Sequence, residues 1–381
     1  ERVAAAPEIA EAAGGRFQFA LRHDNHLVEL KLGTQHIPYQ GWPNQRMDMT
    51  GNDSEQANLR YTGRFGWGGF EARAYHEHTR HKMQFYDDKL FWYGPTAAQD
   101  GTAGPIGGCP KVGPPTAANP CRAAGMPMDT EGWNSGLLLK ADIDLSARDL
   151  LRIGAETQRY KMDDWWDPSG KGMWPGVFWD INDGQRDRQA LFAEWEAKWS
   201  QRWLTQFGLR GETVDMNSGP VQGYSPTFGY AGRPAVGLRD DQIFNATDRS
   251  KTDHNVDATL LARYTPSAMQ TIEFGLAQKT RSPNLYERYT WSTHGMAMRM
   301  INMTGDGNGY VGNIDLKPEV ARTLSATFDW HDPAGDAWGI ALTPYVTQID
   351  DYISAARCSS GGNACTAANA NPATTTAFVY L

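Results

Sequence analysis

Apolar and polar residues alternate with a period of two over long stretches of this 381-residue chain. In Leu324–Trp330 the apolar Leu324, Ala326, Phe328 and Trp330 hold every second position, with Ser325, Thr327 and Asp329 between them. On an extended backbone that places each set on its own face. The same alternation predicts strands over His26–Gln35 (Val28, Leu30 and Leu32 against Glu29 and Lys31) and Trp203–Thr213 (Trp203, Phe207 and Leu209 against Gln206, Arg210 and Glu212). It recurs over Asn255–Thr265 and Gln270–Arg281. Such segments exceed the usual soluble strand of about 5–6 residues and suit tilted strands that cross about 25 Å of hydrocarbon.

The connections sort into two kinds. Short turns are expected at Asp24-Asn25, Gly66-Trp67-Gly68, Ser146-Ala147-Arg148, Ser200-Gln201, Pro266-Ser267 and Asp332–Gly335. Long loops lie between them: Pro38–Ser54, Tyr86–Glu131, Asp163–Gln185, Asn217–Lys251, Pro283–Leu316 and Asp351–Thr375. Turns at one end and loops at the other give the layout of a transmembrane antiparallel β-barrel in an outer membrane, which a soluble sandwich has no reason to adopt. Counting gives about thirteen strands. Because single-chain bacterial barrels close with an even number, an incomplete barrel is expected, its last strand broken off within Ala377–Leu381. Residues 1–14 read as a linker or truncated loop and residues 15–381 as the barrel domain.

Composition agrees with this picture. Only 40% of residues are hydrophobic, yet 14 Trp, 15 Tyr and 14 Phe are present, the mixture expected when lipid-facing and lumen-facing residues alternate between aromatic girdles. No apolar run approaches the roughly 18 residues of a membrane-crossing helix, and Glu1–Gly15 has no apolar core of the signal-peptide kind. A net charge of -8 without a basic cluster argues against nucleic acid as a partner. The cysteines form two local pairs, Cys109 with Cys121 and Cys358 with Cys365, in loop-like segments. Such spacing suits disulfides of an oxidising compartment better than metal ligation.

Two motifs carry more. Arg281-Ser282-Pro283-Asn284-Leu285-Tyr286-Glu287-Arg288-Tyr289 and, beyond one long loop, Gly309-Tyr310-Val311-Gly312-Asn313-Ile314-Asp315-Leu316-Lys317-Pro318-Glu319 resemble the paired signatures of TonB-dependent receptors. Ile37–Met49, Met126–Thr130 and Phe178–Arg188 resemble the copper receptors of that family. The resemblance implies a barrel of roughly 22 strands closed by an N-terminal plug, placed in the outer membrane of a Gram-negative cell among its lipids and lipopolysaccharide. It also implies energising by the TonB–ExbB–ExbD complex through a segment this sequence does not include, and no enzymatic activity. Neither the plug nor the TonB-contacting box is in the sequence.

Copper, above all Cu(I), prefers thioether and imidazole ligands. Met296, Met298, Met300 and Met303 fall between the two motifs, Met126 and Met128 in a second long loop, and Met47 and Met49 in a third. A Met-x-Met pair in extended backbone presents both sulfurs on one face, although a single such pair more often serves as flexible packing. His81 and Met83 are the sharpest candidates. Phe70, Ala72 and Ala74 define one face of their strand, while Glu71, Arg73, Glu77, Thr79, His81 and Met83 share the other. The resemblance implies that such a His-x-Met wall pair joins a Cys-x-x-x-Met from the plug in holding transported copper. His76 and His78 have the opposite parity and read as structural, and Cys121 with Met126 is spaced one residue too far to substitute for the plug motif.

The adjacent carboxylates Asp163-Asp164, Asp240-Asp241 and Asp350-Asp351 read as solvated strand ends, and Arg46, Arg186, Arg188, Arg210 and Arg281 as lumen-lining partners of Glu and Asp. Gly305–Gly309 lacks the further acidic positions of a Ca²⁺ loop. The rival to copper is a ferric siderophore, for which Trp165, Trp166, Trp174 and Trp179 would offer an aromatic surface. A passive porin fits the two receptor motifs poorly, and no nucleophile triad for an outer-membrane enzyme is visible.

Overall fold

A computed structural model describes residues 11–41, 47–84, 91–93, 122–124, 127–167, 177–223, 240–292, 309–357 and 377–380. The elements in chain order are β1 (Glu11–His23), β2 (His26–Tyr39), β3 (Asp48–Phe65), β4 (Gly68–Gln84), β5 (Phe91–Tyr93), β6 (Arg122–Ala124), β7 (Met128–Asp144), β8 (Asp149–Trp166), β9 (Phe178–Lys198) and β10 (Trp203–Asn217). They continue with α1 (Asp240–Ala246), β11 (Lys251–Ser267), β12 (Gln270–Arg281), α2 (Leu285–Tyr289), β13 (Gly309–Val311), β14 (Glu319–His331), β15 (Gly339–Leu342), β16 (Tyr345–Asp350), β17 (Ala355–Arg357) and β18 (Ala377–Tyr380).

Thirteen of these form one antiparallel sheet in the order β1-β2-β3-β4-β7-β8-β9-β10-β11-β12-β14-β15, with β16 also paired to β14. The architecture is the all-β transmembrane barrel wall that the alternation predicts. β15 and β16 occupy one edge position in succession, split at Thr343-Pro344, because proline lacks the N–H that the ladder requires. No described helix is long and apolar enough to cross a membrane.

The register fixes which face is which. Leu30 lies opposite Leu59, Leu59 opposite Ala74, and Ala74 opposite Leu137. Large exposed apolar side chains share this parity on the long strands other than β4, where Ala72 and Ala74 hold it: Phe19, Leu32, Leu59, Leu137, Ile153, Leu191, Phe207, Leu260, Phe274 and Leu324. This is the lipid-facing side. Trp67, Trp199, Trp203 and Trp330 sit at its turn-bearing end, as an interfacial girdle requires.

The opposite face carries ion pairs. Arg60 binds Glu71 at 3.0 Å and Glu29 at 3.4 Å, Arg152 binds Glu194 at 2.6 Å and Glu196 at 3.0 Å, and Arg210 bridges Glu156 and Glu212 at 2.9 Å each. Arg188 joins this network through Glu212 at 2.6 Å. The expected lumen ladder therefore forms at Arg188, Arg210 and Arg281, with Arg186 on the same face, while Arg46 lies outside the described residues.

Three boundaries differ from the sequence expectation. β7, β8 and β9 run on to Met128, Trp166 and Phe178, well into segments that read as loop, because beyond the lipid band the inward residues Met162, Trp166 and Phe178 become the buried ones and apolar side chains no longer mark the outward face. The turn expected at Pro266-Ser267 falls at Ala268-Met269. Ala377–Tyr380 is not a barrel strand: it pairs with β13 and β17 in a separate small sheet. At the turn end, Gly68 adopts φ 138° and a side chain there would come within 1.9 Å of the Asp142 carbonyl, so only glycine fits this β3–β4 turn.

Candidate solute-binding site

Solvent-shielded side chains gather at the loop-bearing end of the wall. Met47, Met162, Trp166, Phe178, Ile181, Val214, Met216, Phe244, Leu285, Tyr289 and Trp291 form one buried cluster, and Met83 and Met128 pack against it. Trp166 stacks on Phe178 at 4.4 Å between centroids, and Phe178 stacks on Trp291 at 4.9 Å. Seven methionines are described, and six (Met47, Met49, Met83, Met128, Met162 and Met216) lie at this end; Met269 sits in a turn at the other.

Strand register sets several of them side by side. Met49 is the direct partner of Met83, Met83 of Met128, and Met128 of Trp166. One rank nearer the turns, Asn52 is opposite His81, His81 opposite Thr130, and Thr130 opposite Asp164. Directly opposed residues of an antiparallel ladder share a face. Both ranks therefore face away from lipid, and parity places His81 and Met83 on the lumen side as expected. Met49 reaches that face through a bulge, since the pairing steps from Gly51–Lys82 to Met49–Met83 and skips Thr50.

His81 Nδ1 lies 3.2 Å from Asn52 Oδ1. An amide oxygen only accepts, so Nδ1 carries the proton and the Nε2 lone pair is left for a ligand. His76 and His78 point to the lipid side, where His76 contacts Ser135 Oγ at 2.7 Å and His78 contacts Glu131 at 2.7 Å. Their structural reading stands.

The two motifs form one clamp. Asn284 caps α2 in a reciprocal capping box with Glu287. Arg281 donates to Glu287 at 2.9 Å and to Glu319, the last residue of the second motif, at 2.6 Å. Arg288 is 2% exposed and donates to Asp253 Oδ1 at 2.8 Å, to the Leu316 carbonyl at 2.8 Å and to Met216 Sδ at 3.2 Å. Asn313 N–H donates to the Glu287 carbonyl at 2.9 Å. Each motif thus supplies what the other lacks, which is why they occur as a pair.

Asp164 corrects the expectation of solvated strand ends. Its side chain is fully buried, accepting from Trp166 Nε1 and Tyr286 Oη at 3.0 Å each. Asp180 is buried beside it. Burial, reinforced by the nearby Asp164 and Asp180 carboxylates, pushes the Tyr286 phenol well above its ordinary range, so Tyr286 remains the donor. The cause is tertiary: a helix remote in sequence covers the end of β8.

Of the other anticipated ligands, Met126, Met296, Met298, Met300 and Met303 lie outside the described residues, as do Trp174, residues 305–308 and all four cysteines. Met162 and Met216 were missed by sequence reasoning. Their signal was parity, since Met162 shares the inward face of β8 with Gln158 and Tyr160, and Met216 that of β10 with Arg210 and Glu212. No group of three or more His, Cys, Asp or Glu gathers among the described residues; what the wall does gather is thioethers with one imidazole.

Comparison with solved structures finds the same architecture in the copper transporter OprC, with a TM-score of 0.64 at 15% identity over 93% of this chain and 47% of that one. The Serratia marcescens hemophore receptor HasR, solved with its hemophore HasA and heme, matches with a TM-score of 0.62 at 14% identity over 98% and 50%. The siderophore receptor PirA from Pseudomonas aeruginosa gives 0.58 at 14% identity over 97% and 50%. The chain spans about half the length of these receptors. No curated protein matches it in sequence. Residues 11–378 match the family described as TonB dependent receptor-like, beta-barrel, and the chain belongs to that family.

Proposed function

We propose that this chain is the barrel wall of a Gram-negative outer-membrane receptor that imports copper ions, with residues 15–381 as its barrel domain and the TonB–ExbB–ExbD complex as its source of energy. The observation that carries the reading is the lumen-facing rank Met49–Met83–Met128 with His81 one rank below. Three thioethers on adjacent strands stand about 4.8 Å apart in backbone, close enough for flexible side chains to converge on one soft ion. Copper is the cargo. Met83 Sδ and His81 Nε2 grip it from the wall, Met49 and Met128 flank Met83 in the same rank, and the resemblance assigns the remaining ligands to the plug. Withdrawal of the plug by TonB removes those ligands, and the ion held by the wall pair alone is released inward.

The likeness to solved receptors does not choose the cargo, because copper, heme and siderophore receptors all match similarly. Side-chain placement favours copper over a siderophore. Trp166 is fully buried against Phe178, and part-buried Trp165 packs on Trp179 at 5.6 Å, so among the described residues these rings are engaged with one another, while Trp174 lies outside those residues.

The test is the metal content of the full-length receptor after growth on trace copper, compared with His81→Ala/Met83→Ala. Native protein is expected to retain copper and the double variant to lose it. Retention by the variant would remove the wall site from the argument; a copper-free native protein that binds a ferric chelate would overturn the cargo itself.

A further inference from the structure

Beneath α2, on the loop side of the lipid band, two carboxylates meet without a cation. Asp164 of β8 is 0% exposed and Asp180 of β9 is 1% exposed. The pairing of the two strands sets them together. Asp164 stands opposite Ile181 and Trp165 opposite Trp179, so Asp180 is the residue that a bulge leaves over, next to Asp164 and with no partner of its own in the ladder. A second irregularity lies one step earlier, between Met162–Gly184 and Asp164–Ile181, where Asp183 adopts φ 46°. Two bulges in succession thus bend the end of β9 where the acidic pair forms.

The two carboxyls are served unequally. Asp164 accepts from Trp166 Nε1 and Tyr286 Oη at 3.0 Å each, whereas Asp180 has no donor among the described residues and its Oδ2 is sealed from solvent. The titratable groups facing the pair are Asp129 from β7 and Tyr286 from α2, with Tyr160 of β8 behind Tyr286; none of them is a cation. Asp129 is itself answered by Lys82 at 3.5 Å. A carboxylate stripped of water, donors and counter-charge is costly to keep ionised. Burial pushes the Asp164 carboxyl up to about 7 and the Asp180 carboxyl well above its ordinary range, the latter also through the neighbouring Asp164 charge. The donors decide the order of ionisation: Asp164, with two, is the anion, and Asp180, with none, is the acid.

We infer that Asp164 and Asp180 form a proton latch: a proton held by the pair keeps α2 and the end of β9 against the wall, and its loss releases both. Phe178 stacks on Trp166 and on Trp291, and Trp291 Nε1 donates to the Trp179 carbonyl at 2.9 Å. The end of β9 and the residues after α2 therefore move together. Two like charges in a dry site repel, and the bulged end of β9 is the element least held by the ladder. Because the carboxyls are raised in the closed form, their contribution is complete below the ordinary carboxyl value of about 4 and is lost as pH rises through about 7. Met83 and Met128 pack against the cluster that the latch closes, so the mouth over them is tightest in acid and loosens toward alkaline pH. The latch works whichever solute the receptor carries.

Hydrogen exchange of the full-length receptor in lipid nanodiscs, followed as protection factors from pH 5 to pH 8, tests the latch at the amides of Trp179 and Gly312, which donate to Gln222 and Thr290. Each proton released on opening lowers protection about tenfold per pH unit, so native protein should lose roughly a hundredfold or more between pH 5 and pH 7. Asp180→Asn keeps the shape and cannot ionise; its loss should be smaller by about tenfold or more, with amides in the middle of β7 unchanged in both proteins. Infrared difference spectra of native protein against Asp180→Asn at pH 6 should show the carbonyl stretch of a protonated carboxyl, which a cation held between two carboxylates would abolish. A flat native profile, a variant profile as steep as the native one, or a difference spectrum without that band overturns the latch.

Discussion

Arg288→Met removes the guanidinium that ties the loop helix to the wall. In the native structure the guanidinium side chain is 1% exposed and its partner Asp253 8% exposed, at 2.8 Å. Removing one member of such a pair strands the other charge, at a cost of about 3–5 kcal/mol. The loss is larger than for a surface pair, typically about 0–1 kcal/mol, because water cannot resolvate Asp253 without opening the cluster. At about 1.4 kcal/mol per decade, the local opening equilibrium rises roughly 150- to 5,000-fold.

Hydrogen exchange of the full-length receptor in lipid nanodiscs reads this directly through the clamp amides of Arg288, Thr290, Gly312 and Asn313, which donate to Asn284, Tyr286, Thr290 and Glu287. Their exchange should accelerate by that factor, while amides in the middle of β7 and β8 stay unchanged. Arg288→Met/Asp253→Leu should restore most of the protection, because it replaces the buried pair instead of breaking it. Acceleration below about tenfold in the single variant, or a double variant no better than the single, would refute the reasoning.

Tyr286→Phe leaves Asp164 Oδ2 without its donor and should destabilise the receptor by about 1–3 kcal/mol in denaturant titrations. A raised phenol holds its proton more tightly when folded, so its contribution to native stability should be intact below the ordinary tyrosine value of about 10 and fall as pH rises past it; the variant should show a shallower fall, the buried Tyr289 phenol, also raised, keeping part of it. Leu260→Arg places a charge on the lipid face of β11 and should cost about 2–4 kcal/mol in bilayer unfolding measurements. The same change at inward Leu261 should cost clearly less. Asn52→Leu removes the group that orients His81 and should weaken copper binding about 10- to 100-fold in competition titrations, with no loss of folded protein.

Strand positions and facing were legible because a period of two survives wherever one face meets lipid and the other the lumen. Counting from Phe70, Ala72 and Ala74 was enough to put His81 and Met83 inside. Where the inward face becomes the apolar, buried one the rule fails, and β7, β8 and β9 outran their expected ends at Met128, Trp166 and Phe178. Met49 shows a second limit. Parity continued from Leu59 would turn it toward lipid, and only the bulge at Thr50 brings it into the methionine rank. Asp164 shows a third: its burial depends on Tyr286, 122 residues away, which no local pattern reports. The five-residue α2 was likewise too short to display a helical period, although Asn284 and Glu287 have the spacing of a capping box.

The upper border of the outward apolar band also sets how deep the barrel rides. Going from that band toward the loops, β4, β8, β9 and β10 each meet their next charged or titratable outward group at His76, Arg159, Asp187 and Asp215, and these four lie along one continuous row of paired residues through Ser135. Sinking the wall by one same-face step, about 5 Å along the membrane normal for strands tilted near 45°, would submerge that whole row at once. Raising it by the same amount would lift Trp67, Trp199 and Trp203 out of their interface. The row works as a waterline: the barrel is matched to one hydrocarbon thickness, and a thinner or thicker bilayer would have to deform around it.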